Sequence, residues 1–259
     1  MRIALSFLTR FPVGQITTDD YMRDLGRSVG LFPVVGLLVG GAGLVAHMLG
    51  RLLFGPAAAA VLALGAGLWA TGALHLDGLM DTADGVLSAR SRERMLEIMK
   101  DSRVGVMGVA AGALSLLLRF ALLLEMEPGR AAAALLVAPS LGRMVMPLAT
   151  VGWPPARAGG MGSAYAQQVG RGHVVGALLI GLALALGVPA AVTGAPLAVP
   201  ILRGLAAWAA ALAVCLAGGR WLARRLGGLT GDTYGALSEL AELAALACFA
   251  ARTGGWVAW

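Results

Sequence analysis

The feature that most constrains this chain is a series of long apolar segments. A helix needs about 20 apolar residues to cross a bilayer. Segments of that length lie at residues 28–50, 55–76, 104–124, 131–152, 173–193, 197–219 and 234–251. They are too long and too uniformly apolar for the strands of a membrane barrel. We therefore predict an all-α, polytopic transmembrane helix bundle of about seven spans, built as a single integral membrane domain over residues 1–259.

The composition excludes the soluble classes. Only 13% of the residues are charged, 58% are hydrophobic and the mean hydropathy is +0.80, whereas soluble domains contain about 25% charged residues. A soluble globular enzyme, a disordered chain and a disulfide scaffold are thereby ruled out. Cys215 and Cys248 each lie inside an apolar run, which is typical of small core residues. Residues 1–26 mix apolar and charged side chains, and we predict an N-terminal interfacial segment there.

The basic residues predict the orientation in the membrane. Fourteen of the 20 basic residues lie in the N-terminal segment or in the loops after the second, fourth and sixth spans. The positive-inside rule then places the N-terminus and the loop at 77–103 in the cytoplasm. Topology explains the net charge of +6 better than a nucleic acid does, so we expect a lipid bilayer and no nucleic acid as partner. The sequence leaves homo-oligomerisation open.

The acidic residues are concentrated in one loop. Six of the 14 lie between residues 77 and 101. Asp77, Asp81 and Asp84 are spaced i, i+4, i+7, which places them within about 60° of one another on a helix. Two such charges about 5.5 Å apart repel by roughly 3 kcal/mol at an effective dielectric of 20. A divalent cation would relieve this repulsion, and hard carboxylate oxygens suit Mg²⁺ or Mn²⁺.

A second acidic series follows at four-residue spacing and consists of Glu93, Glu97 and Asp101. Two acidic faces that flank one short loop could clamp a metal pair, as phosphoryl-transfer chemistry uses. The alternative is a solvated face in which Glu93 and Glu97 pair with neighbouring basic residues at helical spacing. For the series that begins at Asp77, no basic partner lies at helical spacing within its own stretch.

Polar residues inside the spans are the next candidates. Arg143 lies mid-span in PSLGRMVMP, and an intramembrane arginine is a functional-site hypothesis. Snorkelling to the membrane surface or pairing with an acid is the alternative for Arg143, and it is favoured for Arg119, which is nearer a span end. Glu239 and Glu242 lie in the last span at i, i+3 and should face polar partners, with Arg143 one candidate. His75 is either a structural histidine or a substrate contact.

Arginines and a glycine-rich segment flank the acidic loop. The guanidinium groups of Arg90 and Arg103 suit a pyrophosphate, with topology or lipid headgroups as the alternative. The segment GGLTGDTYG at 227–235 contains Asp232 and Thr233. Asp232 either caps the last helix or belongs to a site where backbone amides approach phosphate.

The segment Thr71–Gly105, TGALHLDGLMDTADGVLSARSRERMLEIMKDSRVG, closely resembles the cobalamin (5′-phosphate) synthases, also called adenosylcobinamide-GDP ribazoletransferases. Further similarity lies in FLTRFPV at 7–13, FPVVGLLVG at 32–40 and LTGDTYGALSELAEL at 229–243. The resemblance implies a multi-pass, Mg²⁺-dependent enzyme of the bacterial inner membrane, with its active site facing the cytoplasm. Such an enzyme joins adenosylcobinamide-GDP to α-ribazole or α-ribazole 5′-phosphate. The products are adenosylcobalamin or its 5′-phosphate, and GMP is released.

A more distant resemblance is to the CDP-alcohol phosphotransferases, whose pattern is D-x-x-D-G-x-x-A-R followed by G-x-x-x-D-x-x-x-D. Asp81, Asp84 and Gly85 match its start, whereas Ala89 and Arg90 come one residue late. Glu93, Glu97 and Asp101 keep the later four-residue spacing. Glu93 stands where the pattern has glycine, and Glu97 stands where the pattern has the first of its two later aspartates. The resemblances imply Asp101 as catalytic base and Asp77, Asp81, Asp84, Glu97 and Asp101 as metal ligands. Together with the polar residues described above, the candidate substrate contacts are His75, Arg90, Arg103, Arg143, Asp232 and Thr233.

Two other functions remain open at the level of sequence. A CDP-alcohol phosphotransferase of phospholipid synthesis has the same reaction type, but the offset at Ala89 and Arg90 and the glutamate substitutions argue against it. A cation- or proton-coupled carrier also places acids near and within its spans. Against a carrier, the densest acids gather at one face of the membrane and no inverted repeat is present in the sequence.

Overall fold

The computed structural model of the chain describes residues 1–16, 18, 20–157 and 166–251. Its helices are α1 (Arg2–Leu8), α2 (Tyr21–Ser28), α3 (Phe32–Leu53), α4 (Pro56–Thr71), α5 (Leu74–Val86), α6 (Arg92–Ile98), α7 (Val106–Leu124), α8 (Pro128–Gly152), α9 (Arg171–Val192), α10 (Ala198–Leu226) and α11 (Gly231–Ala250). A 3₁₀ turn at Val29–Leu31 joins α2 to α3. The described ranges contain no β-strand, which confirms the all-α fold class.

Helices occupy all seven of the predicted spans, but not every one can cross a membrane alone. Five helical segments among the described residues are long and apolar enough to do so: Tyr21–Leu53, α7, α8, α9 and α10. The pair α4 and α5 adds a sixth if the two count as one bent span. The final helix is not among them, because Asp232, Glu239 and Glu242 lower its apolar character. The polytopic bundle is confirmed, with five or six spans instead of the predicted seven.

The second predicted span, 55–76, is broken near its end. Gly72 and Ala73 both adopt left-handed backbone conformations, with φ of 62° and 59°, and the chain turns by 89° between α4 and α5. The N-terminal segment supports this turn, since the amide of Arg10 donates to the carbonyl of Ala70 at 2.7 Å. The helix that carries the first acidic series therefore leaves the direction of α4.

The predicted interfacial segment packs against the bundle. Ala4 and Leu8 of α1 and Leu25 of α2 are buried. Phe7 stacks on Phe32 at the start of α3, with 6.1 Å between the ring centroids. The apolar side chains of this segment therefore join the main hydrophobic core, which extends from α1 to α11.

Helix α8 lies at the centre of the bundle and contacts α3, α9, α10 and α11. It contains Pro139 and Pro147, which cannot donate a backbone hydrogen bond within the helix. Cys215 of α10 is buried against α8, where its thiol donates to the carbonyl of Val145 at 3.6 Å. Its place in the apolar interior agrees with the prediction of a small core residue.

The loops after α5, α8 and α10 meet at one end of the bundle. Arg92 donates to the carbonyls of Leu226 and Ala156 at 2.6 and 3.0 Å. Leu229 forms two backbone hydrogen bonds with the segment after α8, to Pro154 at 2.9 Å and from Ala156 at 2.8 Å. These loops are the ones that the distribution of basic residues assigns to a common side of the membrane.

Candidate active site

The first acidic helix, α5, crosses the start of α11 at a contact formed by glycines. A Cβ atom on Gly78 would lie 2.7 Å from the backbone oxygen of Asp232, and one on Gly235 would lie 3.3 Å from the Cα of His75. A real Cβ makes ordinary contacts at 3.4–4 Å. Glycine at position 78 therefore allows the two backbones to approach, and this brings the carboxylates of α5 close to Asp232.

Asp77, Asp81 and Asp232 form the acidic face of the site. Asp77 is exposed and Asp81 is half-buried. Asp81 experiences the negative charges of Asp77, Asp232 and Asp84, in that order of strength. Arg157 offsets part of this charge, since it lies 3.5 Å from the carboxylate of Asp232. The structure thus brings together two predicted metal ligands and one predicted substrate-binding residue.

Asp84 is engaged differently from Asp77 and Asp81. Its two carboxylate oxygens accept hydrogen bonds from the backbone amides of Gly105 and Gly108, both at 2.7 Å. These amides lie at the N-terminus of α7, where a negative charge is stabilised by the unsatisfied N–H groups and the helix dipole. Asp84 therefore acts as a cap that joins α5 to α7, and its role as a metal ligand stays a prediction.

Asp101, the predicted base, is paired with Arg103. The Arg103 side chain donates to both carboxylate oxygens, at 3.0 and 2.6 Å, and its backbone amide donates at 3.0 Å. These hydrogen bonds lower the pKa of Asp101 to about 2, which makes the paired carboxylate a weak base. Together with Asp84 the pair borders an open pocket of about 420 Å³.

The remaining residues of the acidic loop lie at the surface. Glu97 accepts a hydrogen bond from Arg94 at 2.8 Å, so the structure shows the surface pairing that was the alternative to metal binding. Glu93 and Arg90 are exposed. Within the described part of the chain, no group of three or more His, Cys, Asp or Glu side chains is arranged to hold a metal ion. The predicted set of five ligands is therefore not assembled around one point.

His75 and Arg143, both predicted substrate contacts, bind each other inside the bundle. A guanidinium nitrogen of Arg143 lies 3.1 Å from Nδ1 of His75. Arg143 also forms a short ion pair with Glu242, as the sequence led us to expect. The exposed fraction is 2% for His75 and 3% for Arg143, so neither side chain lies on the open acidic face.

Arg119 belongs to the same buried group, and of the two favoured roles, snorkelling or an acid partner, the structure shows the acid partner. It binds Glu239 and Glu242, both at 2.5 Å, and its exposed fraction is 8%. The sequence left an acid partner open for Arg119 but did not identify this pairing with the two glutamates. The signal that could have found it is charge matching, because two carboxylates buried in the last span require two buried cations.

Thr233 has a structural position. Its hydroxyl and that of Thr230 form a capping box at the start of α11, with Thr233 Oγ1 2.8 Å from the amide of Thr230. Thr233 is fully buried, and its predicted contact with substrate has no support from this geometry. Asp232, one residue earlier, remains partly exposed beside the acidic face.

The sequence that builds this arrangement matches a known protein family. A family model described as cobalamin-5-phosphate synthase matches residues 1–250. The chain belongs to the cobalamin-5-phosphate synthase family. The match covers α1 to α11, so every predicted site residue lies inside the region that defines the family. The resemblance inferred from the sequence is confirmed, and the chain is an enzyme, a transferase of cobalamin biosynthesis.

Curated relatives agree with this family. A protein of Desulforamulus reducens is 42% identical over 246 residues, which are 93% of this chain and 92% of the relative. A protein of Roseiflexus is 42% identical, covering 94% of this chain and 86% of the relative. One of Ectopseudomonas mendocina is 41% identical over 96% and 97% of the two chains. All three are named adenosylcobinamide-GDP ribazoletransferase. No solved structure matches the chain.

Proposed function

We propose that this protein joins adenosylcobinamide-GDP to α-ribazole or α-ribazole 5′-phosphate. The products are adenosylcobalamin or its 5′-phosphate, and GMP. The observation that carries the proposal is the family match over residues 1–250, since it includes the acidic helix α5 and its contact with α11. The shared name of the relatives supports the choice of substrates.

The chemistry requires three things of the chain. A hydroxyl attacks one phosphorus of a pyrophosphate and a nucleoside monophosphate leaves, so the enzyme must offset phosphate charge, align the hydroxyl and accept its proton. We assign Arg103 and the exposed Arg90 to the phosphates, because guanidinium groups bind phosphate oxygens in pairs. When the Arg103 side chain turns to the pyrophosphate, Asp101 loses the side-chain hydrogen bonds that contribute most to its lowered pKa and becomes a stronger base.

The acidic face fits Mg²⁺ in donor type and in charge. Magnesium is usually held by one or two carboxylates, several waters and the phosphates of the substrate, so it needs no cage of three protein ligands. Asp77 and Asp81 supply two hard carboxylates, and Asp81 also experiences the charge of Asp232. We propose that Asp77 and Asp81 hold the ion. When bound, it would neutralise the charge that develops on the pyrophosphate.

We further propose that the protein resides in the bacterial inner membrane with this site facing the cytoplasm. The excess of basic residues in the loops after α5, α8 and α10 supports this orientation. The mutual contacts of those loops, through Arg92 and Leu229, support a common side for all three.

A donor panel tests the proposed reaction. Purified protein in detergent or liposomes would receive Mg²⁺, α-ribazole or its 5′-phosphate, and either adenosylcobinamide-GDP or CDP-diacylglycerol. We expect GMP and a corrinoid product only with adenosylcobinamide-GDP. CMP release from the lipid donor would indicate the phosphotransferase alternative, and a protein that binds neither donor would favour the carrier. Asp81→Asn serves as the inactive control.

A further inference from the structure

Four charged side chains and a histidine form one connected group within the bundle. We call Arg119, Arg143, Glu239 and Glu242 the buried ion network. The network joins α7, α8 and α11, and Arg143 extends it to His75 at the start of α5. Its two arginines and two carboxylates cancel in charge. A cavity of about 60 Å³ borders the network, which is enough room for water beside the charged groups.

Stability does not explain such a network. Desolvation of buried charges can exceed their mutual attraction, and apolar residues of similar volume often replace a buried ion pair without loss of stability. Ionisable groups inside a membrane bundle are expensive and are usually retained for function. The network therefore requires a role that apolar packing cannot supply. Its contact with His75 indicates that this role concerns the acidic helix α5.

The network has a pair near α5 and a pair remote from it. Arg143 and Glu242 form the near pair, because Arg143 contacts His75 directly. Arg119 and Glu239 form the remote pair, which is joined to the near pair by the ion pair of Arg119 with Glu242. Each pair is neutral by itself, so either could be removed without leaving a net charge in the bundle.

The contact with Arg143 fixes the orientation of the imidazole. A guanidinium has donors and no acceptor, so Nδ1 of His75 must accept the hydrogen bond and the ring proton lies on Nε2. The backbone of His75 also lies against Gly235 of α11. Side chain and backbone thus hold the first turn of α5, two residues before Asp77.

We propose that Arg143 and Glu242 are positioning residues that hold His75, and through it the acidic face of α5, in the orientation required for turnover. Arg143 then acts on the reaction through His75 and does not contact the substrate. This inference rests on the proposed function for its kinetic readout. Arg119 and Glu239 neutralise the remaining charge and do not hold α5.

Two matched double variants test the proposal. The near-pair variant is Arg143→Met with Glu242→Met, and the remote-pair variant is Arg119→Met with Glu239→Met. We expect the near-pair variant to lose about 10²-fold in kcat, since a shift of about 1 Å at a reacting group costs that much, with KM nearly unchanged. The remote-pair variant should retain kcat. Equal kcat for the near-pair variant and the wild-type enzyme would overturn the proposal.

A cycle with His75 separates positioning from a general structural role. In a His75→Ala background the near-pair substitutions should have almost no further effect on kcat, because their route to α5 is already lost. Additive losses would contradict the proposal. If the near-pair variant does not fold, Arg143→Lys keeps the charge beside Glu242 but lacks the planar fork. Full kcat in that variant would also contradict the proposal.

A readout without turnover keeps this test independent of the proposed reaction. Thr82 lies on α5 with an exposed fraction of 6%. A Thr82→Cys substitution should react slowly with a water-soluble maleimide, and faster when the near pair is removed but not when the remote pair is removed. Equal labelling rates in both backgrounds would overturn the positioning role. Lack of GMP release by the wild-type protein would contradict the proposed function alone.

Discussion

Replacing Gly78 by alanine should remove most of the activity while leaving the protein folded. The added Cβ would lie 2.7 Å from the backbone oxygen of Asp232, and ordinary contact begins at 3.4 Å. The opposing atom belongs to the backbone of α11 and cannot rotate away, so α5 must move by about 0.7 Å, the difference between these two distances. Such a displacement moves Asp77 and Asp81 relative to Asp232.

The free-energy cost of the added methyl group is too small to unfold the protein, whereas the displacement of α5 is large enough to slow the reaction. Overpacking costs about 1–3 kcal/mol, and the higher helix propensity of alanine returns about 1 kcal/mol, so the net destabilisation is small. A displacement approaching 1 Å at a reacting group lowers the rate by about 10²-fold. We therefore expect a melting temperature close to that of the wild-type protein and a large loss of kcat.

The assay measures the initial rate of GMP release and the thermal unfolding midpoint in the same detergent. Gly65→Ala on α4 is the matched control, because a Cβ there meets no atom within 4 Å, and it should retain wild-type activity. A Gly78→Ala variant with kcat within about threefold of wild type would refute the reasoning that the close approach of α5 and α11 builds the site.

Three further predictions concern the cap on α7, the catalytic base and the membrane topology. Asp84→Asn should lower the unfolding free energy by about 1.5–3 kcal/mol, which is the contribution of one charge-assisted hydrogen bond. The loss should persist with EDTA present, and unchanged stability would contradict the role of Asp84 as a cap. Asp101→Asn should be slow at every Mg²⁺ concentration whereas Asp77→Asn should be partly rescued by excess Mg²⁺, and recovery of Asp101→Asn at high Mg²⁺ would make Asp101 a ligand instead of a base. In a background without native cysteines, an impermeant thiol reagent should label Ala195→Cys in intact cells and leave Ser91→Cys unlabelled, and the reverse pattern would invert the topology.

Much of the fold follows from the sequence because membrane helices depend on local properties. Apolar length and the distribution of basic residues identified the helices and grouped their loops. The turn after Thr71 was missed, since Ala73 in a left-handed conformation has no sequence signal of its own. The approach of α5 to α11 was also hidden, because Gly78 and Asp232 are far apart in the chain.

The candidate site could be predicted only in part, because several of its contacts join residues that are far apart in the chain. Helical spacing placed Asp77 and Asp81 on one face, which is a local inference. The capping of α7 by Asp84 depends on how α5 packs against the next span. The partners of Arg119 lie more than one hundred residues away on α11, and only three-dimensional packing or an explicit matching of buried charges reveals them.

The most direct test of the proposed site is the Mg²⁺ dependence of GMP release from adenosylcobinamide-GDP in the presence of α-ribazole. The wild-type protein should release GMP and form corrinoid product in equal amounts, and only with Mg²⁺. Asp77→Asn and Asp81→Asn should each lower this rate by at least about 100-fold, because the metal offsets several kcal/mol of transition-state charge. Glu93→Gln, an exposed acid of the same loop, should leave the rate unchanged. Near-normal turnover in both aspartate variants would contradict the assignment of the acidic face of α5 as the catalytic metal site.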